Sequence, residues 1–63
     1  MMKHIYLRRA EVAARLKIEP KTLANWALEG KGPPVVRLGG HLVRYELGAL
    51  IAWEVGQSAG SAE

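Results

Sequence analysis

Three breaks set what this chain can fold into: Pro20, the run Gly30-Lys31-Gly32-Pro33-Pro34, and the pair Gly39-Gly40. Between them there is room only for short helices and short strands. With 63 residues the chain has one small core to build, because a domain of this size removes only about 60% of its unfolded surface from water. A walled catalytic cleft on top of that core is not expected.

The segments between the breaks have distinct periods. Over Arg8–Leu16 the apolar residues Val12, Ala13 and Leu16 recur at helical spacing, which predicts a short amphipathic helix. Lys17-Ile18-Glu19 follows, and Pro20 fits only the first turn of a next helix, where its missing N–H costs nothing. That second helix is expected from Pro20 to about Glu29. It carries Leu23, Trp26 and Ala27 on one face and Lys21, Thr22, Asn25 and Leu28 on the other, and Gly30 ends it in a left-handed conformation. Val35–Leu38 and His41–Tyr45 are β-branched or aromatic runs joined by two glycines, which suits a two-residue hairpin turn. In that hairpin Arg37 lies on one face and Val36 and Leu38 on the other. A third helix is expected from Glu46 to Val55, with Leu47, Leu50, Ile51 and Val55 at helical spacing, and Ile5-Tyr6-Leu7 reads as a short extended piece. The fold class is therefore α+β, mostly α, with one domain over residues 1–56. Residues 57–63 are small and polar and are expected to form a disordered tail.

Composition narrows the chemistry. Nine Lys/Arg against six acidic residues leave a formal charge of +3, so the excess points to an anionic partner. The chain has no Cys and no Asp, hence no thiolate metal site and no Ser/His/Asp arrangement. His4 and His41 have no companion at ligand spacing. Gly30-Lys31-Gly32 lacks the longer spacing of a phosphate loop. The longest apolar run, Ala49–Trp53, is far short of the roughly 20 residues of a membrane span, and Met1-Met2-Lys3-His4 leads into no apolar signal core. A cytoplasmic protein is expected, not an enzyme, with no cofactor, no metal, no membrane partner and no small-molecule effector.

Two short helices joined by about three residues, the second opened by Pro20, fit a helix-turn-helix. Its second helix lies in the major groove, with the exposed residues of its N-terminal half at base edges. Here those are Lys21, Thr22 and Asn25; Asn pairs with adenine through two hydrogen bonds, and Thr hydrogen-bonds or touches a thymine methyl. The plainer reading makes Lys21 and Asn25 solvated helix residues and Thr22 a first-turn hydrogen-bonder. The hairpin argues against the plainer one. Arg37, His41 and Arg44 surround the glycines as a basic ribbon, and Lys17, Lys21, Lys31, Arg37 and Arg44 can fall on one side. Arg8, Arg9, Lys17 and Lys31 are further candidate phosphate contacts. The competing role for Arg37 and Arg44 is to protect a hairpin edge. Trp26 and Trp53 sit on apolar stripes and read as core rather than as base-stacking residues.

The series Tyr6-Leu7, Glu11-Val12-Ala13, Leu16, Ile18, Thr22-Leu23, Trp26, Gly30, Pro33 to Gly39, Val43-Arg44-Tyr45, Leu50 and Trp53 is similar to the small MerR-like winged-helix family that includes phage excisionases. Thr-Leu-x-x-Trp followed by Arg-x-Gly and Val-Arg-Tyr carries most of the likeness. The resemblance implies a winged helix-turn-helix in which Pro20, Lys21, Thr22 and Asn25 belong to the groove-reading helix. It also implies that Gly39, Gly40 and His41, with Arg37 and Arg44, form the wing. Excisionases of the family are recombination directionality factors. They bind double-stranded DNA beside neighbouring copies of themselves, bend attachment-site DNA, and lead a tyrosine integrase to excise the prophage in the bacterial cytoplasm. The alternative within the family is a small transcriptional regulator of a phage or mobile-element promoter; outside it stands a protein-interaction module that keeps the fold without binding DNA.

The chain departs from the family pattern twice. Gly48-Ala49 stands where relatives carry an Asp or Ser cap before the last helix, and a glycine inside a helix costs about 1 kcal/mol relative to Ala. Many relatives continue into a coiled coil or effector domain, whereas this sequence runs into the tail, so no ligand sensing is expected.

Overall fold

The computed structural model describes residues 4–60. Its elements are β1 (Tyr6–Leu7), α1 (Arg9–Leu16), α2 (Pro20–Leu28), β2 (Val36–Leu38), β3 (Leu42–Glu46) and α3 (Leu47–Gly60). This is a winged helix-turn-helix, three helices around a small antiparallel sheet. The sheet has three strands in the order β1-β3-β2, because Tyr6–Leu7 pairs with the base of the hairpin opposite Tyr45 and Glu46.

Helix α1 starts where the Arg8 N–H donates to Glu11 Oε1 at 2.7 Å, satisfying a backbone donor that the helix leaves free. It ends at Lys17, whose φ of 60° is left-handed. That reversal lets the N–H of Ile18 reach the carbonyl of Ala13 at 3.0 Å, turning the chain through Lys17-Ile18-Glu19 into α2. Pro20 is the first residue of α2, where ring and helix are compatible.

The buried core is Val12 and Ala13 of α1, Leu23 of α2, Tyr45 of β3 and Leu50 of α3. Burying each large apolar side chain is worth roughly 1.5–3 kcal/mol, so these few residues dominate the stability. Leu7, Leu16, Ile18, Trp26, Val35, Val43, Leu47 and Trp53 pack against them, half-buried. The two tryptophans meet between α2 and α3 with ring centroids 6.1 Å apart and planes tilted by 50°. They are packing residues, although both keep part of their surface in water.

Three expectations need correction. The glycine turn is longer by one residue: Leu38 pairs with Leu42, so Gly39, Gly40 and His41 all lie in the loop. Because side chains alternate across a strand, one residue of register exchanges its faces. A two-residue turn would have put Val36 and Leu38 beside Val43 and Tyr45. The observed pairing puts them beside Leu42 and Arg44 on the outer face instead, and Val35 packs inward with Val43 and Tyr45.

The second correction concerns the start of α3. Glu46 ends β3 rather than opening the helix, and its Oε1 accepts the N–H of Ala49 at 2.8 Å. A glutamate thus does the capping that an Asp or Ser would do. The third concerns the stripe of α3. Leu50 is buried and Leu47 and Trp53 are half-buried, whereas Ile51 and Val55 are 42% and 63% exposed. The helix continues past the expected end at Val55 to Gly60, since each residue added to a formed helix gains a backbone bond. Of the expected tail, residues 57–60 belong to this helix and residues 61–63 lie outside the described residues.

Candidate nucleic-acid interface

Leu23 anchors α2 on the core at 1% exposure, and the opposite side of the helix is therefore free. At about 100° per residue, Lys21 and Asn25 lie within about 40° of each other on that free side. Both are exposed. Pro20 is exposed at the head of the helix, while Thr22 is half-buried at its flank. The helix thus offers a cation and an amide one turn apart, with the Thr22 hydroxyl beside them. Amide and hydroxyl are the groups that read base edges, and a lysine serves either a guanine edge or a phosphate.

The wing is glycine-tipped because it has to be. Gly39 and Gly40 have φ of 62° and 88°, both in the left-handed region that a side chain disfavours. The tip carries only the His41 side chain, exposed to water. Arg37 is exposed beside it, paired with Val43. Arg44 pairs with Val36, so by strand alternation it lies on the other face from Arg37. The two arginines of the wing thus stand on opposite faces of the hairpin, for the same register reason that turned Val36 and Leu38 outward. Arg44 is also half-buried, and its guanidinium donates to the Val43 carbonyl at 2.7 Å.

The remaining basic candidates differ in how free they are. Arg8 and Lys17 are exposed at the two ends of α1. Arg9 is half-buried, and its Nε donates to the Tyr45 hydroxyl at 3.3 Å, which satisfies a phenol that is otherwise buried. Lys31 is exposed and sits 3.3 Å from Glu29, so part of its charge is already answered. Arg15, which the sequence reading passed over, is held by two hydrogen bonds of 2.8 and 2.9 Å to Glu54. It ties α1 to α3.

The order of the elements is that of a helix-turn-helix followed by a wing. A family described as a helix-turn-helix domain matches residues 6–54. The chain belongs to this helix-turn-helix family. The match runs from β1 through both helices and the wing into α3. No curated protein and no solved structure matches the chain. A helix-turn-helix domain indicates DNA binding, and the family includes excisionase-like proteins. Among the described residues no helix is long and apolar enough to cross a membrane.

Proposed function

We propose that this helix-turn-helix protein is an excisionase-type architectural DNA-binding protein. It binds tandem sites on double-stranded DNA cooperatively, bends attachment-site DNA and directs a tyrosine integrase towards prophage excision, in the cytoplasm of a bacterial host. It catalyses no step itself. The observation that carries this reading is the pairing of one exposed stripe on α2 with a glycine-tipped wing, in a family that includes excisionase-like proteins. In this reading Lys21, Thr22 and Asn25 meet base edges. Arg37, His41 and Arg44 flank the wing, and Arg8, Arg9, Lys17 and Lys31 lie near phosphates.

Cooperativity follows from size. One helix and one wing make few contacts, so occupancy at useful concentrations needs a neighbour on the adjacent site. Ile51 and Val55 on α3, and Leu38 and Leu42 on the wing, are exposed apolar residues from which such a neighbour contact can be drawn. Arginines on opposite faces of the wing suit a ribbon in a groove, with a phosphate strand on either side.

A gel-shift titration on circularly permuted fragments of an attachment region tests the proposal. A ladder of closely spaced shifts whose mobility depends on the position of the site supports it. A single shift independent of position replaces it with a simple promoter regulator of the same fold.

A further inference from the structure

The side of α2 that carries Lys21 and Asn25 also carries a leucine. Leu28 is 85% exposed, more than any other large apolar residue among those described. At about 100° per residue it lies about 20° from Lys21 on one side, with Asn25 about 40° away on the other, while Leu23 faces almost directly backwards. The position does not arise from a core stripe running out of room. Trp26 and Ala27, its neighbours towards the core, are already half-buried, and Leu28 points away from them.

From the structure we infer that Leu28 is a specificity residue that contacts the C5-methyl group of a thymine in the major groove. This rests on the DNA-binding reading above and extends it beyond the N-terminal half of α2 to its last residue, which has no polar group. Three features of the exposed side of α2 identify the occupant. Leucine offers only apolar contact, and the thymine methyl is the apolar group the major groove displays. The flanking residues on the stripe, Lys21 and Asn25, carry the chemistry for phosphate and base edges. The nearest acid, Glu29, is 3.3 Å from Lys31, so its charge is partly offset where the helix meets a polyanion. Leu28 stands about 10.5 Å along the helix axis from Lys21. That is about three base-pair steps of a duplex with a 3.4 Å rise per strand.

The test uses the whole chain and a duplex selected by it from a randomised pool. Each thymine of that duplex is then replaced singly by deoxyuridine, which removes the methyl and keeps the base pairing. The wild-type protein is expected to lose about fourfold in affinity at one thymine, the factor that burying a single methyl gives. Leu28→Ala is expected to bind the thymine duplex about fourfold more weakly and to be indifferent to the same replacement. Its far-ultraviolet circular dichroism stays that of the wild type, because the removed atoms lie in water.

Three results overturn the inference. One is a wild type indifferent to every replacement, and another is a Leu28→Ala protein that keeps the methyl dependence. The third is a variant whose only loss is cooperativity between adjacent sites, which assigns Leu28 to a contact between copies. In all three the wild type still binds DNA. Failure of the wild type to bind any duplex at low salt instead removes the DNA-binding reading, and the inference with it.

Discussion

Glu46 and Ala49 are joined by a 2.8 Å hydrogen bond from the helix N–H to the carboxylate, and this bond converts the last residue of β3 into the cap of α3. Gly48 gives the carboxylate its room: a Cβ there would stand 3.2 Å from Glu46 Oε1. The N–H groups of Ala49 and then Gly48, with His4 beside them, hold the Glu46 carboxyl below the usual carboxylate range.

An acid dependence of stability follows. Glu54 is also held low, by the hydrogen bond from Arg15. A carboxyl with a depressed folded value adds stability above the ordinary glutamate value of about 4.3, and loses it as pH falls through the folded value. The melting temperature is therefore expected to be level from neutral pH down to about 5 and to fall below about 4.3. Glu46→Ala lowers it by a few degrees at neutral pH and flattens the acid decline. Thermal melts followed by circular dichroism across this range check both; an acid decline as steep in Glu46→Ala as in the wild type contradicts the capping role.

The Arg15–Glu54 fork spans α1 and α3 but lies at the surface, where ion pairs contribute little and salt weakens them. Arg15→Ala and Glu54→Ala are each expected to be slightly destabilising, and the double variant no worse than either. A double-mutant cycle at low and high salt measures this. Strictly additive effects at low salt would show that the fork does not couple the helices.

Two packing variants separate strain from cavity. A Cβ on Gly32 would stand 2.9 Å from Cε3 of Trp26, on a backbone with φ of 85°. Gly32→Ala is expected to cost about 1–3 kcal/mol from overpacking and backbone strain. Leu23→Ala removes a fully buried side chain and is expected to cost about 2–5 kcal/mol, enough to unfold a domain of such marginal stability. Urea titrations of the two variants read the difference. A Gly32→Ala protein as stable as the wild type would mean that the loop over Trp26 yields freely.

Base reading and phosphate contact leave different signatures. Asn25→Ala is expected to lower preference for the selected site by about 1–3 kcal/mol and spare non-specific binding. Arg37→Ala is expected to weaken binding to every duplex and reduce the salt slope by about one. Fluorescence titrations on selected and random duplexes at several salt concentrations distinguish the two. Equal losses on both duplexes for Asn25→Ala would remove it from base reading.

How much of this was legible in the residues depended on the range of the interaction that decided it. Pro20 and Gly30 punctuate α2 locally, and both act where the sequence places them. The inward residues Val12, Ala13 and Leu23 follow from helical spacing alone. The faces of the wing did not, because they turn on whether His41 belongs to the loop or to β3, and the inward demand of Val35, Val43 and Tyr45 settles that through contacts with the helices. The start of α3 was hidden for a related reason: a Glu is a poor local cap signal, and only the pairing of Glu46 with Tyr6 sets it at the head of the helix. Arg15 and Glu54 are 39 positions apart, a separation at which no local pattern reports a contact. Leu28 was visible on the polar face of α2, but its exposure depended on what packed around it.

The most direct test of DNA binding through α2 and the wing is the affinity of the intact protein for double-stranded DNA between about 50 and 200 mM salt. A steep fall across that range is expected, with Arg37→Ala following a shallower line. No binding at the low end, or an affinity that ignores salt, would contradict it.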